Sequence, residues 1–414
     1  MIKEMNIIGR MTYDYIIVGA GIAGLYTGLK LLKEKPSLNI LILEKYNYIG
    51  GRIVTYHKDG HQWEIGAGRI SMRHGRLLKL MDDYGLHLFP IEGNETLYLD
   101  GKSKIGEFDS LLTTYLEPLT SLPLTTLYQH TIGSLLTKIH GSKFAHDFLL
   151  KFPYWAEVHT MRADLALHSF LNEFSKDAHY CTVKEGYQAI PEAVAADFEK
   201  RGGTIQFKTA VRDIEEKGNR VLVLCSDGTS LETNRVILAL HKEALDHIPF
   251  AKRHMPALKH LTMEPLVRMY AVFPLKNGKS WFSGLSKMVA NDPVRYIIPV
   301  GKDTIMISYT EGPYAKYWMK ILKKGGDRAV EKEVMKHIHS LFPEHDIPDP
   351  LLFKIHPWTS GCTYWTPGLY DVRRMSDRAH QLTDRVFACG ESISLKQAWT
   401  EGALESAETL LKLL

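Results

Sequence analysis

Residues 13–32 read YDYIIVGAGIAGLYTGLKLL, an apolar run that passes through Gly19, Gly21 and Gly24 into a helical pattern. The continuous stretch Tyr15–Val18 is what a parallel strand covered on both faces requires. In the GxGxxG turn, Gly19 permits the tight bend, Gly21 lets backbone approach a pyrophosphate, and Gly24 lets the helix pack on the strand. Ile22, Leu25, Leu29 and Leu32 then recur at helical spacing, which aims the free N–H groups of a helix N-terminus at the phosphates. A second apolar strand, Asn39 to Leu43, ends at Glu44, twenty positions after Gly24. An acid at that place accepts a hydrogen bond from a ribose hydroxyl. Strand, turn, helix, strand and acid together specify a dinucleotide-binding unit.

The 414 residues, 45% apolar and 24% charged, suffice for two or three globular domains. The formal net charge of +4 comes from dispersed Lys and Arg, which excludes a nucleic-acid partner. Cys181, Cys225, Cys362 and Cys389 lack the spacing of a disulfide framework or a metal site, so no metal is expected. The first ten residues do not form a signal h-region, and no apolar stretch approaches the roughly 18 residues of a membrane span. The expectation is a soluble, cytoplasmic protein.

Residues 93–183 carry apolar positions at helical spacing and predict a helical insertion. Residues 184–200 predict a helix with Pro191 in its first turn. Four short strands with turns at Lys217-Gly218-Asn219 and Asp227-Gly228 predict a β-meander over 203–240. Residues 263–310 again read as strands and 315–341 as helix. The fold class is α/β (α+β): a Rossmann-like dinucleotide domain from 11–92, 184–262 and 354–414, interleaved with a mixed substrate domain from 93–183 and 263–353.

Two further segments identify the nucleotide. Gly50-Gly51-Arg52 follows Glu44 closely, and a closing strand at Arg385–Ala388 leads through Gly390-Glu391 to the helix start Trp399-Thr400-Glu401-Gly402-Ala403. These motifs, in this order, resemble the flavin-containing amine oxidase family, which includes monoamine, polyamine and L-amino-acid oxidases. The resemblance implies FAD, with contacts from Gly19, Gly21, Ala23, Gly24, Glu44, Lys45, Gly51, Arg52, Gly66, Ala67, Arg69, Val211, Gly390, Glu391, Trp399, Thr400 and Ala403. A surface hairpin with an exposed Arg52 is the alternative reading of the Gly-Gly-Arg stretch.

The same resemblance supplies the catalytic expectations. Trp399 stands where the family places one aromatic wall beside the flavin, and a core Trp is its plain alternative. HPWTSGCTYWTPG (356–368) resembles the segment carrying the other wall, with Tyr364 and Trp365 both open. Cys362 matches the cysteine that monoamine oxidases join to the flavin, although Thr363 replaces the tyrosine that follows it there; FAD is expected to be non-covalent, with a Cys362 link open. Lys279 corresponds to a lysine that holds a water against the flavin, or else is a solvated surface lysine. Gly66-Ala67-Gly68-Arg69 resembles the L-amino-acid oxidase form, in which the guanidinium clamps the substrate carboxylate. Ser71 stands where that form has proline. A structural Arg69, paired with a nearby acid or touching the flavin, is the alternative, and no histidine is promoted to a catalytic base.

The implied function is an FAD-dependent oxidase that removes hydride from the α-carbon of an L-amino acid, giving an imine and hydrogen peroxide. A mono- or polyamine oxidase is the alternative, favoured if acidic residues line the pocket; a catalytically silent FAD-binding protein is the third. The implied partners are a small amine or amino acid, O2, and a second copy of the chain in a homodimer.

Overall fold

The apolar runs Tyr13–Val18 and Ile40–Leu43 pair in parallel, Ile16 opposite Leu41 and Val18 opposite Leu43. Ile17, Ile40 and Ile42 pack on one face of the sheet while Ile16, Val18, Leu41 and Leu43 pack on the other. Burial on both faces is why these strands carry no polar alternation. The computed structural model describes residues 13–91, 96–99, 112–173 and 179–414. The first ten residues and parts of the expected insertion lie outside the described residues.

Val211–Lys217, Arg220–Cys225 and Ser230–Leu238 form the antiparallel meander and turn where expected. The fourth expected strand, Thr204–Gln206, instead joins Ile40–Leu43 in parallel. Ser230–Leu238 reaches across to pair in parallel with both Tyr13–Val18 and the late strand Val386–Ala388. Helix Ile22–Glu34 lies on this sheet against helices Ala189–Lys200 and Thr400–Leu411.

A second sheet runs in the order Leu352–Trp365, Leu261–Val272, Thr304–Glu311, Tyr296–Pro299, Lys287–Ala290 and Thr96–Leu99. It differs from expectation in two places. Leu352–Trp365 pairs with Leu261–Val272 along its length, so this stretch belongs to the second sheet, whereas the sequence places the last segment of the dinucleotide unit from residue 354 onward. Thr96–Leu99 is a strand, parallel to Lys287–Ala290, inside the segment expected to be helical. The same segment also ends in a strand, Tyr180–Val183, paired with Ile70–Ser71 and Leu88–Pro90, and between the two strands it forms the helices from Leu124–Gln129 to Ala163–Glu173. They fill one face of the second sheet, with Phe148, Phe152 and Phe170 packed towards Tyr270, Tyr309 and Tyr364. Helix Gly312–Leu341, kinked at Gly326, covers the other face through Trp318 and Ile338. Among the described residues no helix is long and apolar enough to cross a membrane.

Candidate active site

The turn after the first strand is shaped by contact. A Cβ on Gly24 would come 2.1 Å from the Gly19 carbonyl oxygen, whereas one on Gly21 would meet nothing within 4 Å. The helix that starts at Ile22 has no side-chain cap and no acid in its first turn. Its opening amides therefore face open space over bare glycine, a cradle suited to a pyrophosphate. Glu44 is buried and rigidly aimed: one carboxylate oxygen accepts from Ala20 N (2.8 Å) and the other from Tyr46 N (2.9 Å). Each oxygen keeps a lone pair for a ribose hydroxyl.

Arg52 is no surface hairpin residue. It forms a 2.7 Å ion pair with Glu391 and donates to the Gly361 carbonyl, joining the two sheets. Glu391 also accepts from Thr363 N and Ala398 N, which shapes the loop before Trp399. Thr400 accepts from the Tyr187 hydroxyl. Ala67 N donates to the Arg52 carbonyl, holding Gly66-Ala67 against the same loop. Gly390, Ala403, Ala23 and Gly51 lie on these turns and helix starts, Lys45 follows Glu44, and Val211 opens the meander. Arg52, Arg69, Glu157 and Cys362 lie deep in the fold yet remain only half-buried, so they border interior space. Bare cradle, uncapped helix and that interior space fit a bound dinucleotide.

Trp399 caps the last helix and stacks parallel to Tyr180, with ring centroids 6.3 Å apart and 5° between planes. The Arg69 guanidinium lies 5.6 Å from the Tyr180 centroid and donates to the Tyr154 hydroxyl at 2.7 Å. Among the described residues no carboxylate lies within ion-pair distance of Arg69, so the paired structural reading is not found. Lys279 is exposed on the turn closed by Lys276, which corrects its expected place beside the flavin. The lysine near Arg69 is Lys287, whose amine burial and the Arg69 charge push down to about 8.

Strand alternation separates the two wall candidates. Trp365 is fully buried on the dinucleotide side, its indole donating to the Ser394 carbonyl, so it is a core residue. Tyr364 points into the other cluster, near Glu157 and Cys362, while the ring parallel to Trp399 is Tyr180. Burial, followed by the Glu391 charge, pushes the Cys362 thiol well up, which keeps it un-ionised.

Two buried acids were not foreseen. Glu311 accepts from the Tyr309 hydroxyl (2.5 Å) and from Ala156 N (2.9 Å). Glu157 Oε2 is buried without a hydrogen-bond partner. Burial and the neighbouring Glu311 charge raise the Glu157 carboxyl well above the usual range, and burial also raises Glu311. Glu157 lies in a five-residue helix, Trp155–His159, and Glu311 at a strand end 154 positions later, so only the tertiary fold brings them together. Among the described residues there is no metal-binding cluster.

A family model described as flavin containing amine oxidoreductase matches residues 22–409. Polyamine oxidase 7 of Oryza sativa subsp. japonica is 23% identical, covering 92% of this chain and 90% of its own. Aplysianin-A of Aplysia kurodai is 24% identical, covering 97% and 90%. Flavin-containing amine oxidase A of Sus scrofa is 33% identical over 104 residues, 24% of this chain and 19% of its own. The structure of a putrescine oxidase variant superposes with a TM-score of 0.74 at 18% identity, over 98% of this chain and 99% of that one. At that identity the likeness speaks for the fold.

Proposed function

The chain belongs to the flavin containing amine oxidoreductase family, and from that membership we propose that it is an FAD-dependent oxidase of α-amino acids. One observation carries the substrate choice: half-buried Arg69 has no carboxylate within ion-pair distance among the described residues, although its charge reaches Glu157 and Glu311, and a second cation, Lys287, stands near it. A substrate carboxylate supplies the missing counter-charge. Arg69 spends one N–H on Tyr154, which leaves a two-pronged edge for the carboxylate.

Bound FAD supplies the acceptor for the hydride leaving the substrate α-carbon. The chain's own residues hold that carbon in place. Arg69 fixes the carboxylate, and Trp399 and Tyr180 flank the amine and exclude water from one side. Lys287, with its depressed basicity, holds a proton or a water at Nζ. The imine product hydrolyses in water to an oxo acid and ammonia, and O2 is the proposed electron acceptor. Cys362 stays a thiol and FAD is held without a covalent bond.

The test is an anaerobic visible spectrum of the purified holoenzyme, mixed separately with L-amino acids and with mono- and polyamines. Bleaching by amino acids supports the reading; bleaching by amines alone overturns it. A second reading, oxidation of a diamine or polyamine, is favoured by the unpartnered Glu157 Oε2 beside Glu311. Such an acid pair suits a distal ammonium, which would restore its ionisation. Under that reading Glu157→Gln raises KM for diamines and spares monoamines.

A further inference from the structure

The wall beside Arg69 is held from behind by groups that the reaction does not use. His74 is 1% exposed, and its ring meets Trp399 edge-on, with centroids 4.9 Å apart and 67° between planes. Its Nδ1 accepts from Ser71 N at 3.2 Å. That bond fixes the tautomer, because an accepting Nδ1 leaves the proton on Nε2. Nε2 lies 3.2 Å from Glu173 Oε2, a close electrostatic contact whose angle is not that of a hydrogen bond. Glu173 is itself buried, and the His74 contact holds its carboxyl below the usual range against the opposing effect of burial.

Glu173 holds the second ring as well. Its backbone carbonyl accepts from the Tyr180 hydroxyl, and Tyr180 is the ring stacked on Trp399. Ser71 pairs with Tyr180 across the short strands Ile70–Ser71 and Tyr180–Val183, directly after Arg69. One residue at the end of helix Ala163–Glu173 thus meets both sides of the wall: its carboxylate lies against His74, the ring behind Trp399, and its carbonyl accepts from Tyr180. Ser71 is also where this chain departs from the L-amino-acid oxidase pattern. A proline there has no N–H and could not set the His74 tautomer.

We propose that Ser71, His74 and Glu173 form a positioning relay that fixes the Trp399–Tyr180 wall of the amine site. The relay rests on the reading that this wall borders the substrate, and not on which substrate is oxidised. The charged or titratable groups around it include Glu173, Tyr180, Arg69, whose guanidinium lies over Tyr180, Arg73, which donates to the Asn172 carbonyl, and Lys396, whose charge acts on Glu173.

The test uses holoenzyme containing 5-fluorotryptophan, in which the fluorine resonance lost in Trp399→Leu identifies Trp399 among the seven tryptophans. His74→Leu and Ser71→Pro are expected to displace or broaden that line more than any other. Ser71→Ala, which keeps the N–H, moves it less than Ser71→Pro, and Glu173→Gln, which keeps an acceptor, moves it less than His74→Leu. In anaerobic mixing, His74→Leu and Ser71→Pro lower the limiting rate of flavin reduction about tenfold at unchanged FAD content. In the Trp399→Leu background His74→Leu costs no more than about twofold further, since its effect passes through the missing ring. A Trp399 line unmoved in every variant overturns the relay, as does a full tenfold loss repeated in the Trp399→Leu background. The fluorine readout decides the relay even if no substrate bleaches the flavin, so failure of the functional reading and failure of the relay are distinguishable. If His74→Leu does not fold, the Ser71→Pro and Ser71→Ala pair carries the same test.

Discussion

Replacing Arg69 with Met keeps most of the side-chain stem and removes only the charged fork. One guanidinium N–H is engaged by Tyr154, so a bound carboxylate takes two of the others. Charge-assisted hydrogen bonds contribute about 1.5–3 kcal/mol each, and breaking a buried ion pair costs about 3–5 kcal/mol in all. At 1.36 kcal/mol per tenfold, Arg69→Met should lower kcat/KM for an α-amino acid by about 10²- to 10⁴-fold. For the amine that lacks the carboxylate the same change removes a cation that presses on Lys287, and the loss should stay under about threefold. The assay is anaerobic stopped-flow bleaching of the flavin with the paired substrates. Equal losses on both members of the pair would refute the carboxylate role and make Arg69 a support for Tyr154 and Tyr180.

Lys287 deprotonates near 8 in the folded, substrate-free enzyme, below the ordinary lysine value, so an ionisation near pH 8 in the kcat/KM profile should vanish in Lys287→Met. Because the unfolded lysine keeps its proton to higher pH, wild-type stability should gain from pH 8 upward through this group, and the Met variant should lack that gain in denaturant titrations. His356 accepts from the Trp63 indole at 3.0 Å, and burial with the Lys354 charge pushes its imidazole down to about 4. The unfolded state binds more protons below the usual value near 6.5, so stability is lost as pH falls from there towards 4, by roughly 3 kcal/mol. His356→Gln keeps an acceptor for Trp63 and should flatten that acid limb. Gly24→Ala drives a Cβ into the Gly19 carbonyl and should leave the purified protein without bound FAD, as read from its visible spectrum.

The parts of the molecule legible in the sequence are those built from local contacts. The turn at Gly19, its strand and helix, Glu44 and the helix start at Thr400 each follow from spacing within about thirty residues. Sheet membership was not legible. Leu352–Trp365 alternates faces wherever it pairs, and nothing local says that Leu261–Val272 is its neighbour. Lys279 and Lys287 are equivalent by composition; one sits on a turn and the other on a strand that faces Arg69. Tyr180, Glu157 and Glu311 are distant from every motif in the chain, and acids scattered along a sequence give no sign of which two will be buried together. Ser71, legible only as a departure from a pattern, is the N–H that orients His74.

The dinucleotide cradle is assembled from residues 19–52 and from residues 390–403, tied by the Arg52–Glu391 pair, while Val386–Ala388 completes the sheet beside Ser230–Leu238. A ribosome delivers the first group long before the second. On the nascent chain helix Ile22–Glu34 meets helix Ala189–Lys200 first, and the apolar face it turns to helix Thr400–Leu411 stays uncovered until that helix emerges. Cofactor capture is therefore a late event in biogenesis, and flavin scarcity should act on finished chains as a loss of ligand-linked stability, not on the rate at which they are made.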